Sequence, residues 1–155
     1  MATVLVINTV LPAIANSNNA MVAIGQSVNS RIETQISTVY ATAELDSTGT
    51  WQDTNGNGLF DVFVWVKNVG TERILDINGM DVFFGQDGNF QRIHYTDNAS
   101  GSTPYWSYTI ENGSDWAPGT TLRIDISEGS ALSSGTYFAK IVTDSGASDS
   151  ITFSF

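Results

Sequence analysis

The residues best suited to chemistry lie between Asp53 and Asp61. In Asp53-Thr54-Asn55-Gly56-Asn57-Gly58-Leu59-Phe60-Asp61, oxygen ligands fall at positions 1, 3, 5 and 9, with glycine at 6. That is the opening part of a calcium loop of the EF-hand kind. Asp53, Asn55, Asn57 and Asp61 would ligate through side chains and Leu59 through its carbonyl. The bidentate glutamate expected at position 12 is replaced by Val64, and a strand rather than a helix follows. The same residues also read as an Asn-Gly turn opening a hairpin. Calcium is the one cofactor these residues suggest.

Asn98-Ala-Ser100 and Asn112-Gly-Ser114 are N-glycosylation sequons in turn-like sequence. His94, the only histidine, stands in an alternating stretch without the partners that a catalytic or metal-binding imidazole needs. No serine occupies a nucleophile elbow, and the carboxylates are scattered. Enzyme activity is not expected. Tyr105-Trp106-Ser107-Tyr108, with Trp116, reads either as a sugar-stacking platform or as core and subunit contacts. The second is preferred because buried aromatics dominate core and interface energetics.

The net charge of −10 and six unclustered cations argue against nucleic acid as a partner, since phosphate binding needs basic surface. The chain has no cysteine, which excludes disulfides and thiolate chemistry. Gly, Ser, Thr, Asn and Asp are abundant, as turns and an exposed β domain require.

The elements that must position these groups are strands. Val39 to Asp46, Gly58 to Asn68, Asp81 to Gly85, Phe90 to Tyr95, Tyr105 to Glu111, Thr121 to Ser127, Thr136 to Thr143 and Ser150 to Phe155 are rich in β-branched and aromatic residues. Turn clusters such as Asn55 to Gly58 and Pro118-Gly119 separate them. Strands at this spacing predict an immunoglobulin-like antiparallel β-sandwich over residues 41–155, with Trp65 as a candidate core filler.

Residues 1–40 have a different texture. The stretch from Ala2 to Ala15 is apolar all round apart from scattered polar residues, and Ile24, Val28, Ile32, Ile36 and Val39 repeat at helical spacing. A continuous helix here would be roughly 60 Å long at about 1.5 Å per residue, more than one small domain can cover. Val4, Leu5, Ile7, Leu11, Ile14, Met21, Ile24, Val28, Ile32, Ile36 and Val39 would pack against copies of the same helix. Pro12 predicts a kink. The first charges are Arg31 and Glu33, and Asn16-Ser17-Asn18-Asn19 touches every helical face, which suits a protein-lined core better than lipid. The N-terminus lacks the positive region of a signal peptide. The expected fold is therefore α+β, a long N-terminal α-helix followed by the sandwich.

This order resembles the archaellin and type IV pilin-like superfamily. So do two motifs, Val64-Trp65-Val66-Lys67-Asn68-Val69-Gly70 and the Trp116-Ala117-Pro118-Gly119 turn. The resemblance implies a structural subunit of an archaellum-type extracellular filament, polymerising through its N-terminal helix for swimming motility. The helix would rest in the membrane before assembly, the sandwich would form a sheath often carrying glycans, and motor and platform proteins would act at the base. Helix contacts that never close on themselves give a filament. The alternatives are a membrane-anchored accessory or stator protein with the same architecture, a static adhesion pilin, and a secreted glycan- or calcium-binding module.

Overall fold

Valine, isoleucine and aromatic residues recur at alternate positions through most of the chain, and each such run is a strand. The computed structural model describes residues 34–98 and 101–155. Its strands are β1 (Ile36–Ala43), β2 (Phe60–Asn68), β3 (Asp81–Gln86), β4 (Asn89–Tyr95), β5 (Tyr105–Ile110), β6 (Thr121–Glu128), β7 (Thr136–Val142) and β8 (Ser148–Ser154). A 3-10 turn, Thr96–Asn98, follows β4. In β2, Val62, Val64, Val66 and Asn68 face inward while Phe63, Trp65 and Lys67 face outward. Leu122, Ile124 and Ile126 of β6 meet the inward set in register, Val64 opposite Ile124. Trp106, Trp116, Phe84 and Met80 complete the core. Burial of each such side chain contributes about 1.5–3 kcal/mol relative to exposure.

The strands form one eight-stranded sheet in the order β1-β2-β6-β5-β4-β3-β7-β8. Its two halves are joined by a short parallel pairing, His94 with Tyr105 and Tyr95 with Trp106. The outer strands β1 and β8 then come together. The Thr38 amide and hydroxyl both donate to Asp149 Oδ2, at 2.7 and 2.8 Å, with the Ser150 carbonyl a second acceptor within 3.0 Å of the same hydroxyl. Such closure covers most of the backbone edge that an open sheet would expose.

Two features correct the expected fold. The first is the helix, predicted to run to Tyr40. From Ile36 onward the chain is a strand, paired antiparallel with β2 from Ile36 opposite Asn68 to Ala43 opposite Val62. The Gln35 carbonyl accepts from the Val69 and Gly70 amides, so its partners lie across the sheet and not one helical turn ahead. The cause is an ambiguity of period: a step of four residues keeps one face of a helix and equally two repeats of a strand. Ile36 points into the core, while Val39 sits at the β1 bulge between Thr38 and Tyr40, 53 % exposed. The assembly residues Val4, Leu5, Ile7, Leu11, Ile14, Met21, Ile24, Val28 and Ile32 lie outside the described residues. Among the described residues there is no α-helix, and none is long and apolar enough to cross a membrane.

The second correction is the sandwich. A single near-closed sheet with one parallel joint replaces two separate antiparallel sheets. Trp65 lies on the outer face of β2, and the buried core tryptophans are Trp106 and Trp116.

Candidate functional site

Two regions gather groups that can bind something. The first is the 53–61 loop. Glu44, just after β1, and Asp61, the second residue of β2, are buried side by side, 3 % and 1 % exposed. Glu44 Oε1 accepts from the Thr54 amide at 2.6 Å and from the Thr54 hydroxyl, and Glu44 Oε2 accepts from the Asp61 amide at 3.4 Å. Asp53 Oδ1 accepts from the Gly56 and Asn57 amides and Oδ2 from Gly58. The Asn55 and Asn57 side-chain amides both donate to Asp61 Oδ2, at 2.7 and 3.0 Å. Asp53, Asn55, Asn57 and Asp61 are thus brought into one coil. Leu59 enters through its amide, which donates to Asn57 Oδ1 at 2.8 Å. Glu44 and Thr54, which anchor the coil to β1, could not be found from sequence, because the partners are ten residues apart with no repeat between them.

The second region is the outer face of β1, β2 and β6. Tyr40, 58 % exposed, lies 5.6 Å from Trp65 between ring centres, and Trp65 lies 6.0 Å from Phe63. Arg123 sits 5.2 Å above the Phe63 ring and is held by Asp125 in a two-pronged pair, at 2.7 and 3.0 Å. That hydrogen-bonded pairing raises the Arg123 pKa. Burial pushes the Asp125 carboxyl up despite the guanidinium beside it. The result is an aromatic strip with a fixed cation and flanking acids, a surface for another protein more than for a small molecule.

The remaining sequence candidates are dispersed. Asn98 is exposed at the end of the 3-10 turn, and Asn112 is exposed while its side-chain oxygen accepts from the Thr121 amide at 2.9 Å. His94 is exposed on β4. Trp106 and Trp116 are fully buried, so they act as core residues and cannot stack on a sugar.

Glu128, at the end of β6, lines a groove with Phe84, Phe90, Leu132 and Tyr137. Burial alone pushes its carboxyl up to about 6 from 4.5. An acid raised in the folded state costs stability as pH rises: the penalty is absent below about 4.5, grows between there and 6, and is complete above. Glu128→Gln is therefore expected to raise unfolding stability at pH 8 and leave it unchanged at pH 4. Because the group is half-exposed, solvent screening keeps the gain to about 1 kcal/mol or less. Urea melts at the two pH values measure it, and an equal shift at both would assign the effect to packing.

A sequence model for archaeal-type flagellin matches residues 1–153. Among solved structures, the archaellum periplasmic stator protein FlaG from Sulfolobus acidocaldarius is 31 % identical with a TM-score of 0.59. That match covers 77 % of this chain and 99 % of FlaG. The archaellum periplasmic stator protein complex FlaF and FlaG from the same organism gives 32 % identity and a TM-score of 0.57, covering 77 % and 89 %. No curated protein matches the chain.

Proposed function

The chain belongs to the archaeal-type flagellin family, and from that premise we propose that it is an accessory, stator-type component of the archaellum. In this reading residues 1–33 hold the chain at the cell envelope, and the β domain reaches outward to a second archaellum protein. The observation that carries it is the extent of the likeness to FlaG, 99 % of which is matched at 31 % identity. The strip formed by Tyr40, Phe63 and Trp65 is the face offered to the partner. It joins exposed aromatic area to the Arg123–Asp125 pair, and aromatic and arginine side chains are enriched where interfaces are strongest.

The filament-subunit reading keeps one observation in its favour. The family match begins at residue 1 and includes the apolar N-terminal stretch on which polymerisation would depend. Fractionation separates the two roles. Filaments sheared from archaeal cells that carry a tagged chain are expected to lack the tag, which should stay with the envelope and crosslink to a second archaellum component. Tag along the whole length of the sheared filament would overturn the stator reading in favour of the structural subunit.

A further inference from the structure

We infer that the open edge of β4 is a docking site for an extended, basic segment of another protein. That segment would join the sheet as a further strand, with a lysine or arginine set against Glu128. The sheet is incomplete here. β4 meets β5 only near its end, His94 with Tyr105 and Tyr95 with Trp106. Bonded and unbonded positions alternate along an antiparallel pair, and the two-residue Asp87-Gly88 turn closes on Gln86 opposite Asn89. Asn89, Gln91 and Ile93 therefore bond β3, while Phe90 and Arg92 turn their N–H and C=O groups to the other side. No backbone group among the described residues meets them there. Ser102 to Pro104, which would continue the ladder, stand across a cleft from Gln91 and Arg92, and Pro104 has no N–H to offer. The side chains agree. Gln91 lies opposite Phe84 and shares its inner side, yet Phe84 is buried while Gln91 is exposed, as are Asn89, Phe90 and Arg92.

Sheet edges are usually blunted by a proline, a bulge or a free charge. β4 has no proline, its register with β3 is unbroken, and its cation Arg92 is tied to Asp81 at 2.7 Å. Beside this edge, between β4 and the β6–β7 connection, runs a groove of about 610 Å³ lined by Phe84, Gln91, Leu132, Tyr137 and Glu128. An added strand sends alternate side chains to opposite faces, so one set enters the groove and the other lies over Phe90. Main-chain pairing would hold the segment and the groove would select its side chains. Glu128 sets the charge. Its carboxyl has no ion-pair or hydrogen-bond partner among the described residues, and burial is all that moves its pKa. An incoming ammonium or guanidinium supplies the partner it lacks. A second copy of this chain is a poor source of one. It carries a net charge of −10, and Arg73, Arg92 and Arg123 are already paired. The occupant is therefore a different, basic protein. The open edge belongs to the β domain, so the inference holds for a stator and for a filament subunit alike.

The test uses the full chain in mild detergent and follows amide hydrogen exchange. The probe is a short peptide of alternating valine and threonine with a central lysine on the valine face, at millimolar concentration. In the free chain, the Phe90 and Arg92 amides should exchange faster than those of Gln91 and Ile93. The peptide should slow Phe90 and Arg92 at least tenfold, and the same peptide with every amide N-methylated should leave them unchanged. Glu128→Gln should weaken the lysine peptide at least threefold and not affect a peptide with norleucine in the lysine's place. Arg92→Pro removes an amide that β3 does not use, and it should abolish binding. If that variant fails to fold, the exchange pattern and Glu128→Gln still decide. Equal protection of all four amides in the free chain would overturn the inference, as would no protection by the lysine peptide. Equal binding of the N-methylated peptide would exclude strand addition, and equal binding of the norleucine peptide would exclude a basic partner.

Discussion

Trp116→Ala is expected to lower the unfolding free energy by about 3–5 kcal/mol, enough to consume much of a small domain's stability. Trp116 is fully buried, and its indole N–H donates to the Thr120 carbonyl at 3.0 Å. Its own carbonyl accepts from the Ile74 amide at 3.1 Å, so it ties the 68–80 connection to the turn before β6. Truncation removes a large apolar volume and leaves the Thr120 carbonyl with only the Asn68 amide as donor. Trp116→Phe, which keeps most of the volume and loses the donor, should cost about 1–2 kcal/mol. Trp65→Ala is the contrast: the same residue type on the outer face should cost about 1 kcal/mol, the worth of its aromatic contacts. Urea titrations of the three variants give the ranking. Equal losses for Trp65 and Trp116 would contradict the placement of one outside and one inside.

That contrast marks how far sequence could reach. Each predicted strand run from Gly58 onward overlaps an observed strand, because turn residues and β-branched runs are local signals. Which tryptophan lay inside was not legible. Trp65 stands in a strand among apolar neighbours, where a one-residue change of parity decides the face, and Trp116 stands in a turn between Asp115 and Ala117, where no strand period applies. The pattern did carry the parity of Val62, Val64 and Val66, but in a strand with so many aromatics the outward Phe63 and Trp65 look equally apolar. Closure of the sheet was hidden for another reason. The Thr38–Asp149 clasp joins residues 111 apart, and no single-sequence feature pairs them. The β1 error was one of period. Ile32 to Ile36 satisfies a helix and a strand alike in sequence, and the Gln35 hydrogen bonds to Val69 and Gly70, with the pairing of Ile36 opposite Asn68, decide for the strand from Ile36 onward.

For the acidic loop, the clustering was visible in sequence, since Asp53, Asn55, Asn57 and Asp61 are close along the chain. What sequence could not supply was the state of each oxygen. The buried, unpartnered Oδ1 of Asp61 depends on Glu44 and Thr54 holding the loop over the start of β2. The outer strip is less legible still, because Tyr40 falls at the end of the helical pattern and Arg123 has no other cation near it in sequence.

Asn68→Leu is expected to cost about 2–3 kcal/mol, and its reason joins the two motifs that carried the family resemblance. Asn68, fully buried at the end of β2, donates through Nδ2 to the Glu72 carbonyl at 2.8 Å and the Trp116 carbonyl at 3.0 Å, and accepts at Oδ1 from the Gly70 amide at 3.0 Å. Its backbone bonds the Trp116–Gly119 turn as well, giving its N–H to Thr120 and accepting from Gly119 at 2.8 Å. The Val-Lys-Asn-x-Gly strand end and the Trp-x-Pro-Gly turn are therefore two halves of one hydrogen-bonded corner. Leucine fills the space but takes the Nδ2 donor from the part-buried Glu72 carbonyl and the buried Trp116 carbonyl, a loss of about 1 kcal/mol per hydrogen bond, partly offset by apolar burial. Asn68→Asp is the sharper variant. It turns a carboxylate oxygen toward two carbonyls, so the loss at pH 7 should reach about 3–5 kcal/mol. Its acid would be raised in the folded state, so stability should return as pH falls and the protonated carboxyl regains a donor. An Asn68→Asp melt that did not improve between pH 7 and pH 4 would show that the amide donors are not what holds the corner together.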